Sequence, residues 1–204
     1  MRCEAMNNPD FSATIENYRQ LLAVHGEGPA VAQLSAEGQR SRFKKLAEVG
    51  DLNGKSILDL GCGLGDLLPF LEQKFSNISY TGVDIVQELI SAATTIRGQR
   101  AQFLCRDIVE DPLGQKFNFV MISGIFNNVG ITTELLKQMI AAAFDCCIDA
   151  LAFNFISTYV NFTDSKMAYH DPREVFDFCL EHLSRKVQIH HHYDKCDVAM
   201  FVYR

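Results

Sequence analysis

The stretch ILDLGCGLGDLLPF, which covers residues Ile57–Phe70, decides the fold of this chain. It starts as an apolar strand, passes through Gly61, Gly63 and Gly65, and continues as an apolar helix. Glycine adopts the φ > 0 turn at no steric cost, and its missing side chain lets a ligand lie against the backbone. The carboxyl end of a strand here meets the amino end of a helix, which is where open α/β sheets bind ligands. The stretch therefore predicts a pocket for a nucleoside cofactor.

Apolar segments typical of buried strands alternate with amphipathic helices after Lys55. The strand segments are Ser56–Leu60, Ser79–Asp84, Ala101–Cys105, Phe117–Ser123 and Ala150–Ser157. The clearest helix covers Thr133–Cys147, and a later one begins with Asp171 as its N-cap and Pro172 in its first turn. This alternation predicts a Rossmann-like α/β domain, with helices on both faces of a mostly parallel sheet.

The carboxyl-terminal segments Val187–Tyr193 and Val198–Tyr203 predict two further strands, which makes the sheet seven-stranded. The polar residues between them are too few for a parallel crossover, so the pair must form an antiparallel hairpin. Before Lys55, the pattern predicts helices over Pro9–Val24 and roughly Val31–Val49. We therefore expect an N-terminal helical extension over residues 1–54 and an α/β domain over residues 55–204.

The composition is that of an ordinary soluble globular protein, with 48% hydrophobic and 22% charged residues among 204. The net charge of −6 argues against a nucleic-acid partner, because such proteins usually carry a basic stripe. Nothing at the amino terminus resembles the apolar core of a signal peptide. The apolar run Ile140–Ser157 contains Asp145 and Asp149, so it predicts a helix and a buried strand rather than a membrane span.

Seven cysteines are scattered through the chain, mostly in apolar segments, and no two are spaced as CxxC. This usage argues against a zinc or dithiol site and indicates a reducing compartment, so we expect a cytoplasmic protein. The triplet His190–His192 does not suggest a metal site, because alternate residues on a strand point to opposite faces. We therefore expect no metal.

The glycine stretch departs from the dinucleotide-binding fingerprint G-x-G-x-x-G, since Asp66 stands where the third glycine would be. The pattern Asp59-x-Gly61-x-Gly63-x-Gly65 instead resembles motif I of the class I S-adenosylmethionine-dependent methyltransferases. The resemblance extends from about residue 56 to the carboxyl terminus and includes the terminal antiparallel hairpin that is typical of the family. It implies S-adenosylmethionine (SAM) as cofactor, S-adenosylhomocysteine (SAH) as product and a small-molecule acceptor, in a monomer or homodimer.

The resemblance also implies cofactor contacts along the carboxyl edge of the sheet. Asp84 would accept hydrogen bonds from both ribose hydroxyls, a bidentate contact that suits a carboxylate. Asp107 would accept from the adenine amino group, although an aspartate at a strand end is equally often a helix cap. Ser123 and Gly124 would lie beneath the sulfonium and its methyl group. The implied cofactor-binding residues are Asp59, Gly61, Cys62, Gly63, Asp84, Ile85, Asp107, Ile108, Ser123 and Gly124.

Methyl transfer from a sulfonium is an in-line displacement, so much of the catalysis can come from alignment in an apolar, preorganised site. A base is needed only when the nucleophile arrives protonated, and His170 is the candidate, with a structural role before a helix cap as the alternative. Arg42 could pair with the cofactor carboxylate or an anionic acceptor, with a solvent-exposed helix face as the alternative. The other candidates for the acceptor pocket are Phe126, Asn127, Tyr159 and Tyr169.

Two classes of acceptor lose support from the sequence. Enzymes that methylate nucleic-acid bases or glutamine often carry a D/N-P-P-Y/F tetrapeptide after the fourth strand, where this chain has Ser123–Asn128. The acidic magnesium site of catechol-type enzymes is not evident. The leading hypothesis is therefore methyl transfer to an O, N or C atom of a small molecule, beneath an N-terminal substrate cover. The alternative is a methyltransferase-like binding protein without turnover, and a nucleotide-dependent oxidoreductase is a third interpretation, which Asp66 disfavours.

Overall fold

The computed structural model describes residues 11–26, 31 and 35–204 of the chain. Its strands are β1 (Ser56–Leu60), β2 (Ser79–Asp84), β3 (Gln102–Cys105), β4 (Phe117–Ile122), β5 (Cys147–Ile156), β6 (Val187–His190) and β7 (Asp197–Tyr203). Its α-helices are α1 (Ser12–His25), α2 (Ala36–Leu46), α3 (Leu67–Glu72), α4 (Gln87–Arg97), α5 (Thr133–Asp145) and α6 (Pro172–Phe178). Short 3-10 turns cover Ala47–Val49, Gly98–Arg100 and Ile125–Asn127, and a π-helical turn covers Cys179–Leu183.

The strands form one sheet in the order β3-β2-β1-β4-β5-β7-β6. The first five run parallel, and β7 lies antiparallel between β5 and β6. The order of the strands reverses between β1 and β4, so the topological switch point lies where Gly61 follows β1. The predicted fold, a mostly parallel seven-stranded sheet closed by an antiparallel C-terminal hairpin, is confirmed.

Most strand bounds agree with the sequence pattern to within one residue, and two differ. β5 begins three residues before its predicted start, because it already pairs with β4 at Cys147. β6 ends at His190, three residues before its predicted end, since its pairing with β7 stops opposite Ala199. Helices α1 and α2 correspond to the two predicted N-terminal helices. Residues 9, 10 and 32–34, which those predictions included, lie outside the described residues.

Helices cover both faces of the sheet, as the alternating pattern predicts. On one face, α5 and α6 bury Leu136, Ile140 and Val175 against the strands. On the other, α2 and α3 bury Leu46 and Leu68. Among the described residues, none of these helices combines the length and the hydropathy of a transmembrane span.

The two N-terminal helices differ in how far they are buried against the rest of the protein. α2 belongs to the main core, because Phe43 and Leu46 pack with α3 and one face of the sheet. α1 has no buried residue, and its half-buried Ile15, Tyr18 and Leu22 contact a small apolar cluster beside α4. The division of the chain at residue 54 stays a prediction, and α2 shares a hydrophobic core with α3 and the sheet.

Candidate functional site

A pocket opens at the carboxyl ends of four neighbouring strands, beneath α1. Asp107 follows β3, Asp84 ends β2, Gly61 follows β1 and Gly124 lies just beyond β4. Because the sheet order is β3-β2-β1-β4, these residues succeed one another in that order along the pocket. The lining includes every predicted cofactor-binding residue: Asp59, Gly61, Cys62, Gly63, Asp84, Ile85, Asp107, Ile108, Ser123 and Gly124.

The glycine loop turns sharply at the end of β1 and is fastened to β2. The amides of Gly61 and Cys62 both donate to the carbonyl oxygen of Val83, at 2.7 and 3.1 Å. Gly61, Gly63 and Gly65 have φ angles of 68°, 52° and 69°. Residues with a Cβ rarely adopt such angles, so the turn requires glycine at all three positions.

The three glycines differ in what surrounds them. A Cβ at Gly61 would collide with the side chain of Ile125, and one at Gly65 would lie 2.8 Å from the ring of Phe103. A Cβ at Gly63 would meet no protein atom within 4 Å, and Gly63 lines the pocket. The first and third glycines therefore serve packing, whereas the middle one leaves space for a ligand.

The carboxylate of Asp84 is fixed by backbone amides. One oxygen accepts from the amide of Gly63 at 3.0 Å, and the other accepts from the amide of Val86 at 2.9 Å. Burial raises the pKa of Asp84, and these amide hydrogen bonds act in the opposite direction. The group is thus held rigidly at the end of β2, with its orientation set before any ligand arrives.

A second buried acid, Asp59, lies in the wall of the pocket beneath the glycine loop. The hydroxyl of Tyr80 donates to its carboxylate. Burial, and to a lesser degree the nearby charges of Asp84 and Asp66, raise the pKa of Asp59 to about 7 against the opposing effect of the Tyr80 hydrogen bond. Asp59 therefore changes its charge near neutral pH.

This titration gives the stability of the protein a definite pH dependence. Because the pKa of Asp59 is about 7 in the folded chain against an ordinary 3.8, the folded chain holds a proton that the unfolded chain releases. The free energy of unfolding should fall by a few kcal/mol through this group as the pH rises from about 4 to about 7. Urea unfolding at about pH 5 and about pH 8 should show a smaller fall for Asp59→Asn than for the wild type.

The matched control for this measurement is Asp177→Asn, at an exposed aspartate of α6. It should keep the decline of the wild type, because Asp177 is not among the charges that raise the pKa of Asp59. An unaltered decline in Asp59→Asn would contradict the assignment of the titration to Asp59.

Asp66 stands where a dinucleotide fingerprint has its third glycine, and its side chain links the glycine loop to neighbouring helices. Arg97 of α4 donates to its carboxylate and also to the carbonyl oxygen of Leu64, the latter at 3.0 Å. Gln39 of α2 donates to the other carboxylate oxygen at 3.3 Å. Asp66 therefore ties the loop to two helices.

Asp107 lies both in a turn and in the wall of the pocket, and no helix directly follows it, so it is not a helix cap. Its Oδ1 accepts from the amide of Val109 at 2.9 Å, so that it closes the turn after β3. It also lines the pocket, next to Ile108, which is 6% exposed. The turn-closing bond fixes the carboxylate at the β3 end of the pocket.

Helix α1 covers the pocket from above. Phe11, Thr14 and Tyr18 line it, and the Tyr18 hydroxyl donates to Oδ1 of Asn128 at 3.0 Å. Asn128 is itself oriented, because its Nδ2 donates to the carbonyl oxygen of Ile125 at 2.9 Å. Tyr18 and Asn128 were not among the predicted site residues. The sequence did contain a signal for Tyr18, because its hydroxyl is a polar group on the otherwise apolar face of α1.

The prediction that His170 is a base needs correction. Its Nε2 lies 2.9 Å from the carbonyl oxygen of Phe126 and its Nδ1 lies 3.1 Å from the hydroxyl of Thr133. A carbonyl oxygen only accepts, so Nε2 carries the proton and Nδ1 accepts from Thr133. Burial lowers the pKa of His170, which keeps the ring neutral. His170 is not part of the pocket lining and joins three segments of the fold instead.

The four acceptor-pocket candidates after β4 and β5 also lie away from the pocket. Phe126 is fully buried in the core, and Asn127 is buried, with its side chain accepting from a β5 amide at 2.9 Å. The Tyr169 hydroxyl accepts from an amide of its own loop at 2.8 Å, and Tyr159 is exposed. The turn Ile125–Asn127 explains the positions of Phe126 and Asn127. It directs the side chain of Ile125 to the pocket and the next two side chains into the protein interior.

Arg42 is buried and paired within the protein. It is 7% exposed and makes a bidentate ion pair with Asp197 at the start of β7, with Nη2 to Oδ1 at 3.1 Å and Nε to the other oxygen. The interpretation of Arg42 as a contact of substrate is therefore corrected, and so is the alternative of an exposed helix face. The partner is 155 residues away in the chain, which no local pattern reveals.

Only the first residue of the histidine triplet lies in a strand, because β6 ends at His190. The rings of His190 and His192 are 6.2 Å apart, whereas His191 lies beside Tyr159. In the part of the chain that the structure describes, no three His, Cys, Asp or Glu side chains are grouped closely enough to hold a metal ion. The absence of a metal stays a prediction.

Comparison with known protein sequences identifies similar proteins that are described as methyltransferases. The sequence pattern of a family described as a methyltransferase domain matches residues 57–149. A Mycobacterium tuberculosis protein named as a methyltransferase is 28% identical over 159 residues, which cover 72% of this chain and 92% of that protein. A malonyl-[acyl-carrier protein] O-methyltransferase of Acetivibrio thermocellus is 29% identical over 145 residues, 68% of this chain. The match spans about half of the latter protein, 49% of its length.

Comparison with solved structures agrees with the sequence matches. The chain is similar in fold to magnesium protoporphyrin IX methyltransferase from Synechocystis, which was solved with bound SAM. The TM-score is 0.69, and the alignment covers 98% of this chain and 99% of that chain. At 17% identity, this likeness shows the fold alone.

Proposed function

We propose that this chain is a class I SAM-dependent methyltransferase that binds SAM in the pocket at the ends of β1–β4 and methylates a small molecule at O, N or C. One observation carries the proposal: the residues at the positions of the family's cofactor contacts come from four strands and line a single pocket. The structural relative with bound SAM supports the same cofactor.

The order of the pocket residues suits an adenosyl ligand. Neighbouring strands are about 4.8 Å apart, so the three steps from β3 to β4 span roughly 14 Å. Asp107 at the β3 end would hold the adenine amino group and Asp84 the ribose hydroxyls. The glycine loop and Gly124 would lie along the methionine part. When bound, SAM supplies a methyl group on a positively charged sulfonium and departs as neutral SAH.

The protein's own contribution is to align the two reactants and exclude water. The wall beyond the glycine loop is largely apolar, with Phe11, Ile125, Ile131 and Met139 among its residues. Helix α1 closes it, which supports the role of the N-terminal residues as a cover over the acceptor. Both ring nitrogens of His170 are engaged, so we assign it no proton transfer.

Isothermal calorimetry tests the choice of cofactor. We expect SAM and SAH to bind and NAD not to bind, because Asp66 and its two helix contacts occupy the place of the third fingerprint glycine. Adenosine serves as a control for the nucleoside half alone. The proposal would be overturned if NAD bound and neither SAM nor SAH did.

Transfer is tested by incubating the protein with SAM and a panel of small alcohols, phenols, amines and activated carbon acids. The expected result is formation of SAH that depends on at least one acceptor. A parallel incubation of SAM and the acceptors without protein provides the control for nonenzymatic loss of methyl groups.

A further inference from the structure

A chain of buried polar groups connects α2 to the turn at the end of β4. We propose that Arg42, Asp197 and Asn154 are positioning residues that fix Gly124 beneath the sulfonium end of the pocket. The inference rests on the proposed function, since it concerns the same cofactor site. None of the three side chains lines the pocket, so they act through Gly124, which does.

The contacts form an unbroken path. Arg42 of α2 holds both carboxylate oxygens of Asp197 at the start of β7. Asn154 of β5 donates from Nδ2 to Asp197 at 3.5 Å. Its Oδ1 accepts from the amide of Gly124 at 3.0 Å. The guanidinium also approaches Gly124 directly, because Nη1 lies 3.5 Å from the place that a Cβ of Gly124 would take.

The burial of these three polar side chains costs free energy. Asn154 is 0% exposed, Asp197 2% and Arg42 7%, and the neighbours of Asn154 in β5 are apolar. A buried ion pair seldom stabilises a fold more than apolar residues of the same volume would. Burial raises the pKa of Asp197, and the contact with Arg42 acts in the opposite direction. A polar network in such a place is better explained by the geometry that it imposes than by the stability that it adds.

Gly124 is the group whose geometry the network controls. Its φ of 80° lies in the left-handed region, and it directly precedes the turn Ile125–Asn127. Without a side chain of its own, it is held through its backbone, and its amide donates a hydrogen bond to Asn154. Gly124 and Asp107 lie at opposite ends of the pocket, three strands apart. A displacement of Gly124 should therefore affect the sulfur end of a ligand and leave the adenine end unchanged.

Three ligands separate the two ends of the pocket. We would measure the affinities of adenosine, SAH and SAM by calorimetry for the wild type, Asn154→Ser and Asp197→Asn. In both variants SAH and SAM should bind roughly fivefold or more weakly, while the affinity for adenosine stays within about twofold. A role limited to overall stability would weaken all three ligands alike.

The matched control is Asn118→Ser. Asn118 is also an asparagine of the sheet that accepts a backbone hydrogen bond from a neighbouring strand, from the amide of Ser56 at 3.1 Å. It lies at the amino end of β4, opposite the pocket. This variant should keep the wild-type affinity for all three ligands.

Two results would overturn the inference: unchanged affinities in the folded variants, or an equal loss for adenosine and SAM. If Asp197→Asn does not fold, Arg42→Lys tests the same link, because a lysine keeps the charge and loses the bidentate contact. A wild-type protein that binds none of the three ligands would instead refute the proposed function. The two failures are therefore distinguishable.

Discussion

Asp84→Ala should weaken the binding of SAH by roughly 100-fold, which makes it one of the two largest effects that we expect. Two losses combine in this variant. The ribose hydroxyls would lose a charge-assisted acceptor, and the amides of Gly63 and Val86 would lose the carboxylate that now accepts from both. Because Gly63 belongs to the glycine loop, the loop would also lose its link to the end of β2. Calorimetry with SAH measures the change.

The control for this prediction is Asp84→Asn, which keeps the shape of the side chain and one acceptor oxygen. We expect an intermediate loss of affinity, since the asparagine cannot accept from both backbone amides and both hydroxyls. An affinity for SAH that is unchanged in Asp84→Ala would refute the assignment of Asp84 to the ribose. Thermal unfolding of both variants shows whether the fold is retained.

Two glycine variants should separate packing from ligand binding. Gly65→Ala places a methyl group 2.8 Å from the ring of Phe103 at a φ of 69°, so the left-handed backbone and the overpacking should together cost about 2–5 kcal/mol of unfolding free energy. Gly63→Ala meets no neighbour and should cost only about 1–2 kcal/mol. Urea unfolding measures both values.

The affinities for SAH should follow the opposite order. The added methyl of Gly63→Ala points into the space left for the ligand, so we expect at least roughly tenfold weaker binding. At a temperature where Gly65→Ala remains folded, its loss of affinity should be smaller. Equal losses of stability in the two variants would contradict the division of roles within the loop.

The fold and the cofactor end of the pocket could be predicted because their signals are local. Each strand is a short apolar run, and parallel strands bring their carboxyl ends to one edge of the sheet. Asp84, Asp107 and the glycines therefore had to lie near one another once the order of strands was expected. The glycine-rich turn at the end of a strand is also visible in consecutive residues, so it could be recognised from the sequence.

The acceptor side could not be predicted in the same way, because its geometry depends on pairings between distant segments. His170 and Arg42 were reasonable candidates by residue type, but their partners Thr133 and Asp197 are 37 and 155 residues away. The turn after β4 decides which of its side chains face the pocket, and no periodicity applies within a single 3-10 turn. Asn154 was a visible sign, since a lone amide in a buried apolar strand requires a partner.

The titration of Asp59 has a consequence for the energetics of the cofactor itself. SAM carries positive charge on its sulfur and its amino group, and a cation beside a carboxyl group favours the ionised form. With a pKa of about 7, Asp59 holds a proton in part of the molecules at neutral pH. Entry of the cationic ligand would release that proton to the solvent, and the heat of binding would then depend on the ionisation enthalpy of the buffer. If SAM binds beside Asp59 as proposed, cofactor and proton would compete for this carboxyl group, and SAM would bind more tightly as the pH rises through about 7.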